Sequence, residues 1–172
     1  MNAFVKKNER LLKFFNNMPQ IMGPVMLACS VAWGVFGATQ LLSKIGDWKA
    51  FEDAFHDGPV QAGTMFFLGL ILIVVAQFIR YLFNTEYQPG WILRHGEKIF
   101  YAHAAFIFVH ALWFTKRFLV GQYSFRTSRE ALEVCNALTY WLIRLSIVLI
   151  LVGSGQILRR ILPVIKESKT PA

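Results

Sequence analysis

The chain contains four long stretches that have no acidic side chain and almost no charge of any kind. They lie at residues 14–43, 58–79, 99–115 and 134–158, and the one formal charge inside them is Arg144. Each stretch is near the roughly 20 residues that an α-helix needs to cross about 30 Å of hydrocarbon. A helix satisfies its own backbone hydrogen bonds, which lipid cannot do. The pattern therefore predicts four transmembrane helices.

The four stretches predict an all-α fold. Because the connecting loops are short, consecutive spans are expected to be antiparallel neighbours. We predict one transmembrane domain over residues 1–172, an integral membrane four-helix up-down bundle with an N-terminal amphipathic interfacial helix. The predicted elements are the amphipathic segment 2–17 and spans at about 21–42, 59–83, 97–120 and 131–162. Helix breaks are predicted at Pro19, before span one, and near Pro163, at the end of span four.

The net charge of +8 is distributed as in a membrane protein rather than a nucleic-acid-binding protein. Basic residues precede span one, flank the loop between spans two and three, and follow span four, whereas the loop after span one is acidic. Only the loop after span three opposes this pattern, with Lys116, Arg117, Arg126 and Arg129. Positive charge on short loops marks the cytoplasmic side. We therefore predict a bacterial-type inner-membrane protein with both termini in the cytoplasm, with bilayer lipids and not nucleic acid as partners.

Residues 2–17 combine apolar and basic side chains. Phe4, Leu11, Leu12 and Phe15 lie close to one face of a helix, while the basic residues lie mostly on the other face. Such a segment rests in the headgroup layer of a membrane. The same residues equally fit a short positive leader that only orients span one.

Small residues recur at helix-packing intervals in the first two spans. Span one carries Ser30, Gly34 and Ala38 at intervals of four residues, and span two carries Ala62, Gly69 and Ala76 at intervals of seven. Small side chains let the backbones of membrane helices approach closely. We predict that both faces make helix contacts, and that the chain associates with other membrane subunits or with itself.

Arg144 is the most informative polar residue of the spans, because a guanidinium near the bilayer centre costs at least a few kcal/mol unless it is paired. Counting from the span centres at about 1.5 Å per residue places His110 and Arg144 in the same layer. We predict an intramembrane polar layer of His110, Arg144, Tyr140 and Trp141, with His103 on the same face as His110. Arg144 also fits pairing with a backbone carbonyl, a lipid phosphate or a carboxylate of a partner subunit.

His103 and His110 lie seven residues apart on span three. Transmembrane cytochromes bind haem b through histidines on one helix, with a second axial ligand from another helix. Spans one, two and four contain no histidine, so a haem held by this chain alone is disfavoured. A haem shared with a partner subunit, or a quinone, fits the sequence, but no cofactor is required by it. Hydrogen bonds from the histidines across the bundle are the simpler interpretation.

An acidic cluster of Glu52, Asp53, His56 and Asp57 precedes span two. Its spacing on a helical turn is compatible with a weak divalent-metal site. Acidic residues at the start of a helix already interact favourably with the helix dipole. We therefore predict no metal site here.

The sequence contains no catalytic triad, no paired carboxylates within the spans, and no CxxC or HExxH motif. No catalytic residue is predicted. The pattern favours a non-catalytic subunit of a larger membrane complex. Two alternatives are a redox membrane anchor contributing to a quinone or shared haem b site, and a small oligomeric anion transporter or channel. Nothing resembles inverted repeats, which argues against transport by this chain alone.

Overall fold

A computed structural model describes the backbone of residues 9–83, 87–120 and 128–169, and the side chains of residues 14, 17–51, 54–55, 58–83, 87–113 and 138–166. All regular structure in these ranges is helical, which confirms the predicted all-α class. The helices are α1 (Glu9–Ser43), α2 (Trp48–Phe55), α3 (Gln61–Phe83), α4 (Trp91–Arg94), α5 (Gly96–Val120) and α6 (Ser128–Lys169). A π-helical turn, His56–Val60, joins α2 to α3.

Three segments are long and apolar enough to cross a membrane, judged by length and composition. They are Asn17–Ser43, Gly58–Phe83 and Leu138–Lys166, which fall in predicted spans one, two and four. Helix α5 is not among the segments found in the described residues, and its described part includes Glu97, Lys98, His103 and His110. Membrane insertion is thus supported by three helices.

The two predicted helix breaks are wrong. Helix α1 continues through Pro19 and Pro24, and helix α6 continues through Pro163. A proline removes one backbone hydrogen bond within a helix. Long apolar helices in lipid tolerate this loss because neighbouring groups and small backbone adjustments satisfy the freed carbonyl. No break therefore separates span one from residues 9–17. Residues 2–8 of the predicted amphipathic segment and most of its side chains lie outside the described residues.

Gly46 and Asp47 form the turn from α1 to α2. Gly46 has a φ of 109°, a left-handed conformation that favours glycine. The Ala50 N–H donates a hydrogen bond of 3.1 Å to Asp47 Oδ1, so the aspartate caps the start of α2. These two residues let the chain leave the end of α1 and continue directly into α2.

The four long helices pack in a row. Helix α1 packs extensively along α3 and α5 packs extensively along α6, while a smaller contact joins α3 to α5. Within the described ranges α1 and α6 share few contacts at most, whereas a closed four-helix bundle would pair them. The outward faces of α1 and α6 carry large aliphatic side chains, and lipid solvates such a face about as well as another helix does.

The contact between α1 and α3 is made by small residues. Ser30 Oγ donates a buried hydrogen bond of 2.9 Å to the Ala62 carbonyl, and Gly34 lies close to Ala62. Gly23 is so close to α3 that a Cβ added there would lie 2.6 Å from Ile73 Cγ1, and a Cβ added to Gly69 would lie 2.9 Å from the Gly23 carbonyl oxygen. Helices α1 and α3 are therefore antiparallel and in close backbone contact.

The contact residues of α1 differ in register from the predicted stripe. Ala38 is exposed, and Gly37 makes the contact instead. A Cβ added to Gly37 would lie 2.6 Å from the Cα atom of Gly58, in the π-helical turn. On α3, Ala62, Gly69 and Ala76 are all buried. The closest contacts on α1 are thus Gly23, Ser30 and Gly37, which are spaced by seven residues.

One apolar core joins α3, α4, α5 and α6 near the α4 end of the molecule. Its buried members are Val74, Tyr81, Leu93, Phe100, Ala104, Ile107, Leu151 and Leu158. Gln77 Oε1 accepts a 3.1 Å hydrogen bond from the Leu93 N–H, which fixes the short helix α4 against α3. At the same end the Arg80 guanidinium donates to Gln20 Oε1, which links α3 to α1.

The outer faces of α1 and α6 expose large apolar side chains. Val31 on α1 is 68% exposed and Leu149 on α6 is 71% exposed, and similar residues continue along both helices. Soluble monomers rarely expose contiguous apolar surfaces of this extent. The distribution is that of a protein whose exterior contacts lipid or other membrane helices.

Candidate functional site

The seam between α5 and α6 positions the predicted polar layer. Tyr101 of α5 contacts Gly155 of α6, whereas His110 contacts Tyr140, so the two helices are antiparallel. Gly155 permits the close approach, because a Cβ there would lie 2.8 Å from Tyr101 Cε1. The antiparallel register places His110 opposite Tyr140, within the charge-poor stretches of both helices.

His110 and Tyr140 form a hydrogen bond across this seam. The Tyr140 hydroxyl oxygen lies 3.3 Å from His110 Nδ1, and the direction of the bond depends on the histidine tautomer. His110 is only 5% exposed and Tyr140 is partly buried. The bond therefore ties α5 to α6 where water has little access.

Arg144 extends the layer by one helical turn. Its guanidinium carbon lies 5.0 Å from the centroid of the Tyr140 ring, in a cation–π arrangement. Tyr140 thus contacts His110 through its hydroxyl group and Arg144 through its ring. Among the described side chains no carboxylate lies within ion-pair distance of Arg144, and no acceptor receives its N–H groups. The structure brings His110, Tyr140 and Arg144 together; Trp141 is partly buried on α6 beside them in sequence.

His103 lies apart from this layer. Its ring is parallel to that of Phe67 on α3, with a centroid separation of 5.2 Å and an angle of 7° between the planes. The residue is 3% exposed, and neither ring nitrogen has a hydrogen-bond partner within the described part of the chain. His103 therefore belongs to the contact between α3 and α5, whereas His110 belongs to the contact between α5 and α6.

The two histidines offer single ligands rather than a complete cofactor site. At about 1.5 Å per residue they lie roughly 10 Å apart along α5, too far to bind one iron together. In the described ranges no three His, Cys, Asp or Glu side chains lie close enough to hold a metal ion. The side chains of Glu52, Asp53, His56 and Asp57 lie outside those ranges. The polar layer can donate hydrogen bonds to an oxygen atom of a ligand or partner.

Two contacts of the helices that carry the site were not predicted from the sequence. Phe67 covers one face of His103, and Arg159 approaches Glu97 with an Nε–Oε2 distance of 3.8 Å. The second contact joins α5 to α6 at the end away from the polar layer. Charge complementarity at matched depth is a sequence signal for this ion pair, whereas no sequence signal identifies Phe67.

Comparison with protein-family models, curated proteins and solved structures gives no match to this chain. Similarity therefore assigns neither a family nor an activity. The contacts of His110, Tyr140 and Arg144 are the basis on which a function can be argued.

Replacing Tyr140 separates the two contacts of this residue. Tyr140→Phe keeps the ring beside Arg144 but removes the hydrogen bond to His110, so we expect a loss of about 1 kcal/mol in the free energy of unfolding. Tyr140→Leu also removes the cation–π contact, and a further loss of roughly 0.5–2 kcal/mol is expected. Thermal unfolding of the purified chain in mild detergent measures both. Equal stability of the two variants would show that the ring contact contributes nothing.

Proposed function

We propose that the chain is a multi-pass protein of a bacterial inner membrane and a non-catalytic subunit of a larger membrane complex. The observation that carries the proposal is the position of Arg144 inside a candidate membrane helix, with no acceptor among the described side chains. Charged residues within membranes are paired, line a cavity or contact a partner. The open apolar faces of α1 and α6 provide surface for such a partner.

The proposed topology has four spans in up-down order, with α5 as the third. Contacts between Gly23 and Gly69, between Phe67 and His103, and between Tyr101 and Gly155 support antiparallel packing of successive long helices. Exposed basic residues gather at the end of the molecule that carries α4, at Arg80, Arg94, Lys98, Arg159, Arg160 and Lys166. This charge distribution supports a cytoplasmic location for that end and for both termini. The basic residues that precede span one would contact anionic headgroups on that side.

A redox membrane anchor is the second candidate function. The connected contacts of His110, Tyr140 and Arg144 favour it, because a guanidinium and a phenol donate hydrogen bonds to quinone carbonyls and a guanidinium pairs with haem propionates. His103 and His110 would each need a second axial ligand from a partner subunit to bind haem b.

Purification of the tagged full-length chain from its native membranes in a gentle detergent tests the proposal. The sample is examined by an absorption spectrum and by mass spectrometry of the bound proteins and small molecules. A colourless sample with stoichiometric partner proteins supports the subunit function. A Soret band or a bound quinone supports the redox anchor. A colourless homo-oligomer without any partner contradicts the proposal and favours transport of an anion.

A further inference from the structure

We propose that Arg144 binds a carboxylate on a transmembrane helix of a different subunit, at the depth of the His110–Tyr140 contact. The inference rests on the proposed function and adds the chemistry of the partner and the residue that meets it. The occupant of the surface beside Arg144 is therefore an apolar helix that carries an aspartate or glutamate within its span.

The environment of the guanidinium points to an anionic acceptor. Arg144 is partly buried, and within the described part of the chain its charged group meets the Tyr140 ring, with the guanidinium carbon 5.0 Å from the ring centroid. A ring face attracts the positive charge but accepts none of the in-plane N–H bonds that a guanidinium donates. A carboxylate accepts two such bonds in parallel and neutralises the charge.

The depth of Arg144 disfavours lipid phosphate as that acceptor. The neighbouring charges on α6 are at Glu133 and Arg159. At about 1.5 Å per residue, Arg144 lies roughly 16 Å from the first and roughly 22 Å from the second along the helix axis. An arginine side chain is much shorter than either distance, so the guanidinium stays within the charge-poor part of α6. An acceptor at that depth is therefore favoured over one at the membrane surface.

A second copy of this chain does not supply the acceptor. The four charge-poor stretches contain no aspartate or glutamate, so self-association brings no carboxylate to the level of Arg144. The partner is therefore a chain of different sequence. Surface for it exists on α6, where the residues directly before and after Arg144 are exposed: Ile143 by 56% and Leu145 by 39%.

The experiment compares the full-length tagged chain with two variants after purification from native membranes. The wild type is expected to retain a membrane protein that has an aspartate or glutamate near the middle of a span. Arg144→Gln should lower the amount retained about tenfold or more, because removal of one member of a buried charge pair weakens binding strongly. Arg144→Lys keeps the charge but not the paired donors, so an intermediate amount is expected.

Charge reversal then tests the pair itself. Arg144→Asp alone should release the partner, and combining it with replacement of the partner's carboxylate by arginine should restore retention. Asp57→Asn is the control for an acceptor within the chain and should leave retention unchanged. The thermal unfolding temperature of each variant shows that loss of the partner is not loss of the fold.

Three results overturn the inference. Retention of partners by Arg144→Gln at the wild-type level removes the role of Arg144 and leaves the subunit function standing. Loss of the partner on Asp57→Asn to the same extent as on Arg144→Gln shows that retention does not depend specifically on Arg144. A wild-type sample with bound quinone and no partner protein contradicts both the inference and the subunit function.

Discussion

Gly37→Leu is expected to separate α1 from the start of α3 and to lower the free energy of unfolding by about 3 kcal/mol or more. A Cβ at this position would lie 2.6 Å from Gly58 Cα and 3.0 Å from Pro59 Cδ. Neither atom belongs to a flexible side chain that could rotate away, so the backbones themselves would have to move apart. Thermal unfolding in detergent, followed by tryptophan fluorescence, measures the loss.

Ala38→Leu is the matched control for this prediction. Ala38 is adjacent to Gly37 but exposed on α1, so leucine there should change the unfolding free energy by only about 0.5 kcal/mol in either direction. Equal destabilisation by the two substitutions would contradict the contact between Gly37 and Gly58. A larger effect at Ala38 would instead indicate that Ser30, Gly34 and Ala38 form the contact with α3, as the sequence predicts.

Three of the four predicted membrane helices are supported by the structure, because hydrocarbon thickness sets a helix length that hydropathy reveals. The packing register was not predictable in the same way. Steps of four residues rotate about 40° beyond a full turn of the helix, so Ser30 and Ala38 diverge by about 80°. Steps of seven residues fall only about 20° short of two turns, which keeps Gly23, Ser30 and Gly37 on one face. Span one therefore contains two small-residue spacings, and its packing face follows the seven-residue one and not the four-residue spacing of Ser30, Gly34 and Ala38.

The proline positions show a second limit of local sequence rules. Pro19 and Pro163 are typical helix breakers in water, where the freed carbonyl and an unwound segment can hydrogen-bond to solvent. Unwinding beside lipid leaves further backbone groups without partners, so a helix that continues through the proline is favoured. The length of the apolar segment therefore predicts α1 and α6 as long helices better than the positions of the prolines do.

Depth counting placed His110 level with Arg144, and the structure brings both into contact with Tyr140. Counting residues from the span centres gives matching levels because antiparallel helices of equal rise cross the same layers in opposite order. It gives the level of a residue but not the helix that the residue faces. His103 shares a face with His110 by spacing, yet its ring stacks on Phe67 of α3. Which helix each histidine contacts depends on how the three helices are arranged, and the spacing along one helix does not specify this.

Arg144→Leu is expected to stabilise the isolated chain. Transfer of an arginine to the centre of a membrane helix costs about 3 kcal/mol on insertion scales, and leucine removes that cost. The substitution also removes the cation–π contact with Tyr140, which contributes roughly 0.5–2 kcal/mol. The net expectation is a gain of about 1–2.5 kcal/mol in unfolding free energy, measured by thermal unfolding of the chain purified without partners.

Arg160→Leu provides the comparison, since Arg160 is exposed near the end of the same helix and should show no such gain. A loss of stability in Arg144→Leu would contradict the prediction and indicate an acceptor for the guanidinium within this chain. Arg144→Leu could raise the unfolding free energy of the isolated chain and also release the partner in membranes. This pair of results would mean that Arg144 destabilises the subunit alone and that binding of the partner offsets this cost. An unassembled subunit would then be the less stable form, because its intramembrane charge has no carboxylate to meet.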